Sequence, residues 1–181
     1  MILASQSPRR KEILTNAGFE FEVRVADVDE SVVGMECPRD YVCRLARKKA
    51  FAVPINMGEI VLGADTTVVV DGEILAKPED EADARRMIGL LSGRPHTVIT
   101  GICLRHAGGE IVDAETTLVH FSSLSAEEIA AYAASGQPMD KAGAYGIQGL
   151  ASKYIDRIEG CYFNIVGLPI GLVWRHLRTI E

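Results

Sequence analysis

One stretch constrains the fold of this chain more than any other: V-L-G-A-D-T-T-V-V-V-D-G-E-I-L-A-K-P, residues 61–78. Residues 60–70 are almost all apolar or β-branched, which suits a buried strand. Asp71-Gly72 is a tight-turn pair, and residues 73–76 can return as the second arm of a hairpin. Asp65 stands in the middle of the first arm. A carboxylate within a buried strand is costly unless it is paired, hydrogen-bonded or bound to a metal. Lys77, just past the second arm, is a candidate for the opposite charge. Two readings stay open at this point: a satisfied structural aspartate at a strand bend helped by Gly63, or a functional group.

The totals narrow the classes. At 181 residues the chain fits one domain, with or without two lobes, and can bury a full core. A net charge of −6 argues against broad nucleic-acid or anionic-membrane binding, while leaving room for a local basic pocket. Cys37, Cys43, Cys103 and Cys161 form no C-x-x-C pair and no cluster with the four histidines. No zinc site is expected, and reduced thiols of a cytosolic protein are the default. Met1-Ile2-Leu3-Ala4 is too short for a signal-peptide core, and no apolar run approaches membrane-spanning length, so a cytoplasmic protein is expected. There are no internal repeats or linkers, which predicts a single domain over residues 1–181.

Taken in order, residues 1–4 read as a short strand followed at once by Ser5-Gln6-Ser7-Pro8-Arg9-Arg10. Ser7 is a good N-cap and Pro8 a good first helical residue, predicting a helix to about Asn16 with Gly18 beyond its end. The turn before it gathers hydroxyls, free backbone N–H groups and two guanidinium groups, a combination suited to an anion and to phosphate above all. Two arginines in a first turn oppose the helix dipole, so capping does not explain them, although plain surface arginines remain the alternative. Residues 19–25 alternate as a strand, and Asp27-Val28-Asp29-Glu30-Ser31 is acidic. Such a cluster is either a solvated face or a source of a carboxylate for Mg²⁺, which favours one or two carboxylates plus substrate phosphates.

Residues 38–53 are predicted helical, opened by Pro38 and closed by Pro54. The apolar stripe is Tyr41, Val42, Leu45, Ala46, Ala52 and Val53, and Lys49 lies within it while Lys48 sits at its margin. A lysine so placed either snorkels to the edge or points into a cleft with a counter-charge; the cleft is favoured. A further helix opens at Pro78-Glu79-Asp80-Glu81 and runs through Leu91 to a stop at Ser92-Gly93. Residues 97–104 and 110–121 form a second predicted hairpin, and His96 and His106, which flank its first strand, have no obvious partners. Ser125-Ala126-Glu127-Glu128 is a capping box for a helix ending near Gly136. Residues 140–149 are glycine-rich without clear period and need close backbone approach to something, for which a ligand is the simplest candidate. Residues 154–158 and 161–166 read as strands, and residues 168–179 as a closing helix with Pro169 in its first turn.

Each feature alone has a bland explanation. Together they give an anion turn, interior lysines at Lys49 and Lys77, carboxylates at Glu30 and Asp65, and a glycine-rich loop. A site that handles a polyphosphate with a divalent metal needs that set: cations for phosphate oxygens, carboxylates for metal, and one carboxylate for water. No P-loop motif and no G-x-S-x-G elbow is present.

Five motifs, in order along essentially the whole chain, resemble one family. They are Ala4-Ser5-Gln6-Ser7-Pro8-Arg9-Arg10, Gly63-Ala64-Asp65-Thr66, Leu75-Ala76-Lys77-Pro78, Asp140-Lys141-Ala142-Gly143-Ala144-Tyr145-Gly146-Ile147-Gln148-Gly149 and Asn164-Ile165-Val166-Gly167-Leu168-Pro169. Together they look like the Maf family of nucleoside triphosphate pyrophosphatases, historically described as septum formation inhibitors, within the inosine triphosphate pyrophosphatase-like superfamily. The resemblance implies an elongated α/β fold, a mixed twisted sheet with two lobes around a central cleft, and a homodimer. It implies hydrolysis of a nucleoside triphosphate to the monophosphate and pyrophosphate with Mg²⁺ or Mn²⁺.

By motif, the resemblance makes Asp65 the proton acceptor and places Arg9, Thr66 and Gln148 at substrate-specificity positions. The I-Q-G form of the fourth motif resembles the subfamily acting on dTTP and UTP. Ser5, Arg10, Lys49 and Lys77 as triphosphate ligands, and Glu30 with Asp65 as metal ligands, rest on the resemblance and on the residues together. Two other functions compete: a non-enzymatic nucleotide-binding regulator of cell division, which needs no base, and a house-cleaning pyrophosphatase for modified purine triphosphates.

Overall fold

The computed structural model describes residues 1–25, 27–31 and 33–180; Glu181, the last residue of the expected domain, lies outside them. Seven strands and six α-helices alternate along the described chain. They are β1 (Ile2–Leu3), α1 (Pro8–Asn16), β2 (Glu22–Val23), α2 (Pro38–Ala52), β3 (Val61–Val70), β4 (Glu73–Leu75), α3 (Glu81–Leu91), β5 (Pro95–His106), β6 (Gly109–Phe121), α4 (Ala126–Ala133), β7 (Ile155–Glu159), α5 (Tyr162–Val166) and α6 (Ile170–Leu177). Short 3₁₀ turns at Ala142–Ala144 and Leu150–Tyr154 precede β7. The strands hydrogen-bond in the order β2-β1-β3-β5-β6-β7, with β4 also on β3. β1 runs parallel to β2 and β3, whereas β3–β4 and β6–β7 are antiparallel, so the sheet is mixed as expected for this α/β class.

α3 and α4 begin where short polar side chains satisfy their first N–H groups. Asp80 accepts from the Asp83 N–H at the start of α3. At α4, Ser125 and Glu128 cap each other's backbone N–H reciprocally, as their spacing predicts. Ser7 occupies the N-cap position of α1 but makes no side-chain cap; its own N–H donates instead to Ser5 Oγ at 3.2 Å. That frees the first turn of α1 from internal capping.

Two compact units emerge. The first comprises Met1–Thr66, Thr100–Glu115 and Gly167–Glu181, and the second Thr67–Ile99 and Thr116–Val166. In the first, Ile2 and Leu3 pair with Val61 and Leu62, which brings the turn after β1 level with the middle of β3. α2 packs on this sheet over two glycines. A side chain at Gly63 would lie 2.1 Å from the Ala46 carbonyl oxygen, and one at Gly101 would lie 2.5 Å from that of Val42. The small residues Ala4, Ala46, Ala50 and Cys103 fill the space with Ile2, Val53 and Val61. Ala50 is therefore buried and Ala52 exposed, while Tyr41, Val42, Leu45, Ala46 and Val53 of the expected apolar stripe are buried.

In the second unit α3 and α4 bury Met87, Ile88, Leu91 and Tyr132 with Val119, Phe121 and Tyr154. His96, given no partner from sequence, is buried there and pairs through Nε2 with Tyr145 Oη at 2.7 Å. Both rings, with Phe121, meet edge to face at 4.9–5.3 Å. Residues 161–166, expected as a strand, instead form α5. The buried Asn164 side chain donates Nδ2–H to Val98 O at 2.9 Å and Thr117 Oγ1 at 3.0 Å, a tertiary bond that overrides the apolar run. The strand expected over residues 19–25 shrinks to Glu22–Val23, and the closing helix to Ile170–Leu177.

Candidate active site

The parallel register of β1 and β3 sets the first half of the site. Ser5 leaves β1 beside β3, and Arg10 reaches back from α1. Arg10 is buried, and its guanidinium is spread over three elements: Nε donates to Gly167 O at 2.8 Å, Nη1 to Ser5 Oγ at 3.0 Å, and Nη2 to Thr66 Oγ1 at 3.2 Å. Thr66 Oγ1 also bonds Thr100 Oγ1 at 2.9 Å. Burial pushes the Arg10 pKa down, while Asp65 and, less, Glu30 hold it up against Arg9. Arg9, one residue earlier, is half-buried.

The packing of α2 on Gly63 sets the second half. With the helix axis this close to β3, Lys49 reaches Asp65: Nζ donates to Oδ1 at 2.6 Å and lies 2.6 Å from Glu30 Oε1. One ammonium thus serves two carboxylates. Asp65 is 6% exposed, whereas the Glu30 side chain is 49% exposed. Desolvation raises the pKa of Asp65, and Lys49 followed by Arg10 pulls it back. The snorkelling alternative for Lys49 is therefore wrong, and Gly63, within the continuous strand β3, answers the close approach of the helix.

Lys77 and Gln148 belong to the second unit. Lys77 is exposed on the bend after β4, because that strand ends at Leu75; it is not the interior lysine expected, and the counter-charge on Asp65 is Lys49. Gln148 is exposed on a turn. The glycines around it have local reasons. Gly143, at φ 67°, lies where a side chain would sit 2.7 Å from Val68, so the close approach expected of a ligand is made there by β3. Three participants were not singled out from sequence: Thr100, the Gly167 carbonyl as an acceptor, and Tyr41 as a hydrogen-bond donor. A threonine before Gly101 in an apolar strand, and a tyrosine eight residues before Lys49 on one helix face, were the available signals.

A buried carboxylate held by one ammonium beside a hydroxyl-and-guanidinium cluster is an arrangement that can bind an anion and accept a proton. The family model described as Maf-like protein matches residues 1–180. The chain belongs to the Maf-like protein family. A relative from Koribacter versatilis (strain Ellin345), named dTTP/UTP pyrophosphatase, is 54% identical over 98% of this chain and 93% of its own length. Another of the same name, from Geotalea uraniireducens (strain Rf4), is 53% identical over 99% and 94%. Among solved structures, the Staphylococcus aureus Ham1 protein matches with a TM-score of 0.56 at 13% identity, covering 99% of this chain and 98% of that one, and so shares its fold.

The donors of this Maf-like site also bear on a metal. Among the described residues no three histidine, cysteine or carboxylate side chains converge into a cage. Glu30 and Asp65 are two hard oxygen donors meeting at one cation, Lys49. That set fits Mg²⁺ or Mn²⁺ sharing its ligands with substrate phosphates, and not a self-sufficient site. No described helix is long and apolar enough to cross a membrane.

Proposed function

We propose that this chain hydrolyses dTTP and UTP to the nucleoside monophosphate and pyrophosphate, with Asp65 as the base. The observation that carries this reading is the buried Asp65 carboxylate on the Lys49 ammonium, beside the Ser5–Arg10–Thr66 cluster; the names of relatives about half identical to the chain support the substrates. Water attacks the α-phosphorus. The new P–O bond forms as the bond from that phosphorus to the bridging oxygen breaks, and pyrophosphate leaves with the electron pair. The water proton passes to Asp65.

Burial strengthens Asp65 as a base and Lys49 favours its ionised form; the two effects oppose, which suits a group that must accept a proton and release it. Lys49 binds one carboxylate oxygen, and the other remains to orient water. Ser5, Arg10, Lys49 and Lys77 receive triphosphate oxygens, Arg10 as a buried charge with the donors it has left. Glu30 and Asp65 would hold Mg²⁺ or Mn²⁺, which when bound neutralises phosphate charge.

Arg9, Thr66 and Gln148 select the base. A glutamine amide matches the N3–H and O4 of uracil or thymine, and the donor-only Arg9 favours a carbonyl over the amino group of cytosine. Each polar group a wrong base leaves unpaired costs about 1–3 kcal/mol. The same reading takes the chain as one pyrophosphatase domain, a homodimer in the cytoplasm; light scattering on the purified protein tests the dimer.

Pyrophosphate release from a panel of nucleoside triphosphates tests the function. dTTP and UTP should be turned over well, CTP less and purine triphosphates poorly. Comparable kcat/KM for GTP and UTP overturns the pyrimidine assignment, and no release from any of them overturns the pyrophosphatase reading.

A further inference from the structure

Residues 29–31 carry Glu30 and belong to neither a helix nor a strand. Their three successive carbonyl groups are nevertheless all held by α2. Lys48 Nζ donates to Asp29 O at 2.7 Å, Tyr41 Oη to Glu30 O at 3.1 Å, and Arg44 Nη2 to Ser31 O at 3.1 Å. Tyr41, Arg44 and Lys48 lie at i, i+3 and i+7, and Lys49, which holds the Glu30 carboxylate, is at i+8, so one helix face grips both the backbone and the side chain. The grip is itself braced. Arg44 Nε donates to Glu36 Oε2 at 2.8 Å, and the Arg44 guanidinium lies 5.6 Å from the centre of the Tyr41 ring. The Ser31 N–H closes the segment on Asp29 Oδ1 at 3.0 Å.

Holding three consecutive carbonyls on a polar segment exceeds what packing needs, since neither Lys48 nor Glu30 is buried. What the bonds do fix is the backbone on which a half-exposed carboxylate stands. We propose that Tyr41, Arg44 and Lys48 are positioning residues that strap residues 29–31 to α2 and so hold the Glu30 carboxylate at Lys49 for the divalent ion of the reaction. This rests on the pyrophosphatase reading.

Two conservative variants test the strap: Tyr41→Phe, which removes one hydroxyl, and Lys48→Met, which changes an exposed side chain. Amide hydrogen exchange, measured without metal or nucleotide, should quicken about three- to tenfold in residues 29–31 of each variant, the size of one lost hydrogen bond, and stay unchanged in β3. In turnover assays the Mg²⁺ concentration for half-maximal rate should rise by a similar factor, with kcat at saturating Mg²⁺ little altered. In an E30Q background neither substitution should shift that concentration further. Unchanged exchange in residues 29–31, or an equal Mg²⁺ shift with and without E30Q, overturns the strap. A wild type that releases no pyrophosphate defeats the functional reading instead, and hydrogen exchange still decides the strap.

Discussion

At the scale of single residues, Asp65 and Lys49 define each other. Asp65→Asn keeps the shape and removes the charge, and losing a general base lowers turnover by about a hundredfold to ten-thousandfold. Circular dichroism should show the variant folded; near-normal activity in it excludes Asp65 as the base and sends the search for the base elsewhere. Lys49→Met acts through the same carboxylate. Lys49 is the foremost influence holding the Asp65 pKa down against burial, so without it Asp65 takes up its proton at higher pH. The acidic limb of kcat/KM against pH should therefore move upward in Lys49→Met, with activity lost sooner on acidification. An unmoved limb separates Lys49 from the base.

At the scale of elements, the site depends on how closely α2 approaches the sheet. Gly63→Ala would set a methyl against the backbone of Ala46 and Ala50, and neither atom can yield without moving the helix. Overpacking of this kind costs about 1–3 kcal/mol and more where backbone is involved. Denaturant melts should show that loss together with reduced activity, because Lys49 rides on the displaced helix. Gly89→Ala, exposed inside α3 with open space around it, is the counterpart and should stabilise by about 0.4–1 kcal/mol.

Sequence patterns made this helix legible, along with the hairpin at Asp71-Gly72 and the Ser125–Glu128 box, since period, turn chemistry and caps are local. They made Asp65, Lys49 and Glu30 candidates for one site as well. They did not reveal that Gly63 serves α2, that Gly143 serves Val68, that Lys77 is exposed or that residues 161–166 are helical. For the two glycines and for residues 161–166 the deciding contact comes from a distant segment, as with Asn164 on Val98, whereas Lys77 is exposed because β4 ends at Leu75. A six-residue apolar run carries too little period to choose between helix and strand.

At the scale of the whole molecule, acid should unfold this protein partly through His96. Burial drives its pKa down to about 3, so the unfolded chain takes up a proton below about pH 6.5 that the folded one refuses. The stabilising contribution of neutral His96 is complete above that pH and is lost as pH falls towards 3. Replacing His96 by Phe keeps the ring and removes the titration. The stability lost between pH 7 and pH 5 should shrink by about 2 kcal/mol in His96→Phe, as read by urea denaturation at the two pH values.

Neither unit is a continuous piece of chain: one is built from three segments and the other from two. Arg10, near the start, donates to the carbonyl of Gly167, 157 residues on. On the ribosome the consequence is a long wait. The guanidinium of Arg10 cannot reach its last acceptor until Gly167 has left the exit tunnel. The pairing of Asp65 with Lys49 draws only on residues made earlier, so the carboxylate and its cation can meet long before Arg10 finds the carbonyl of Gly167.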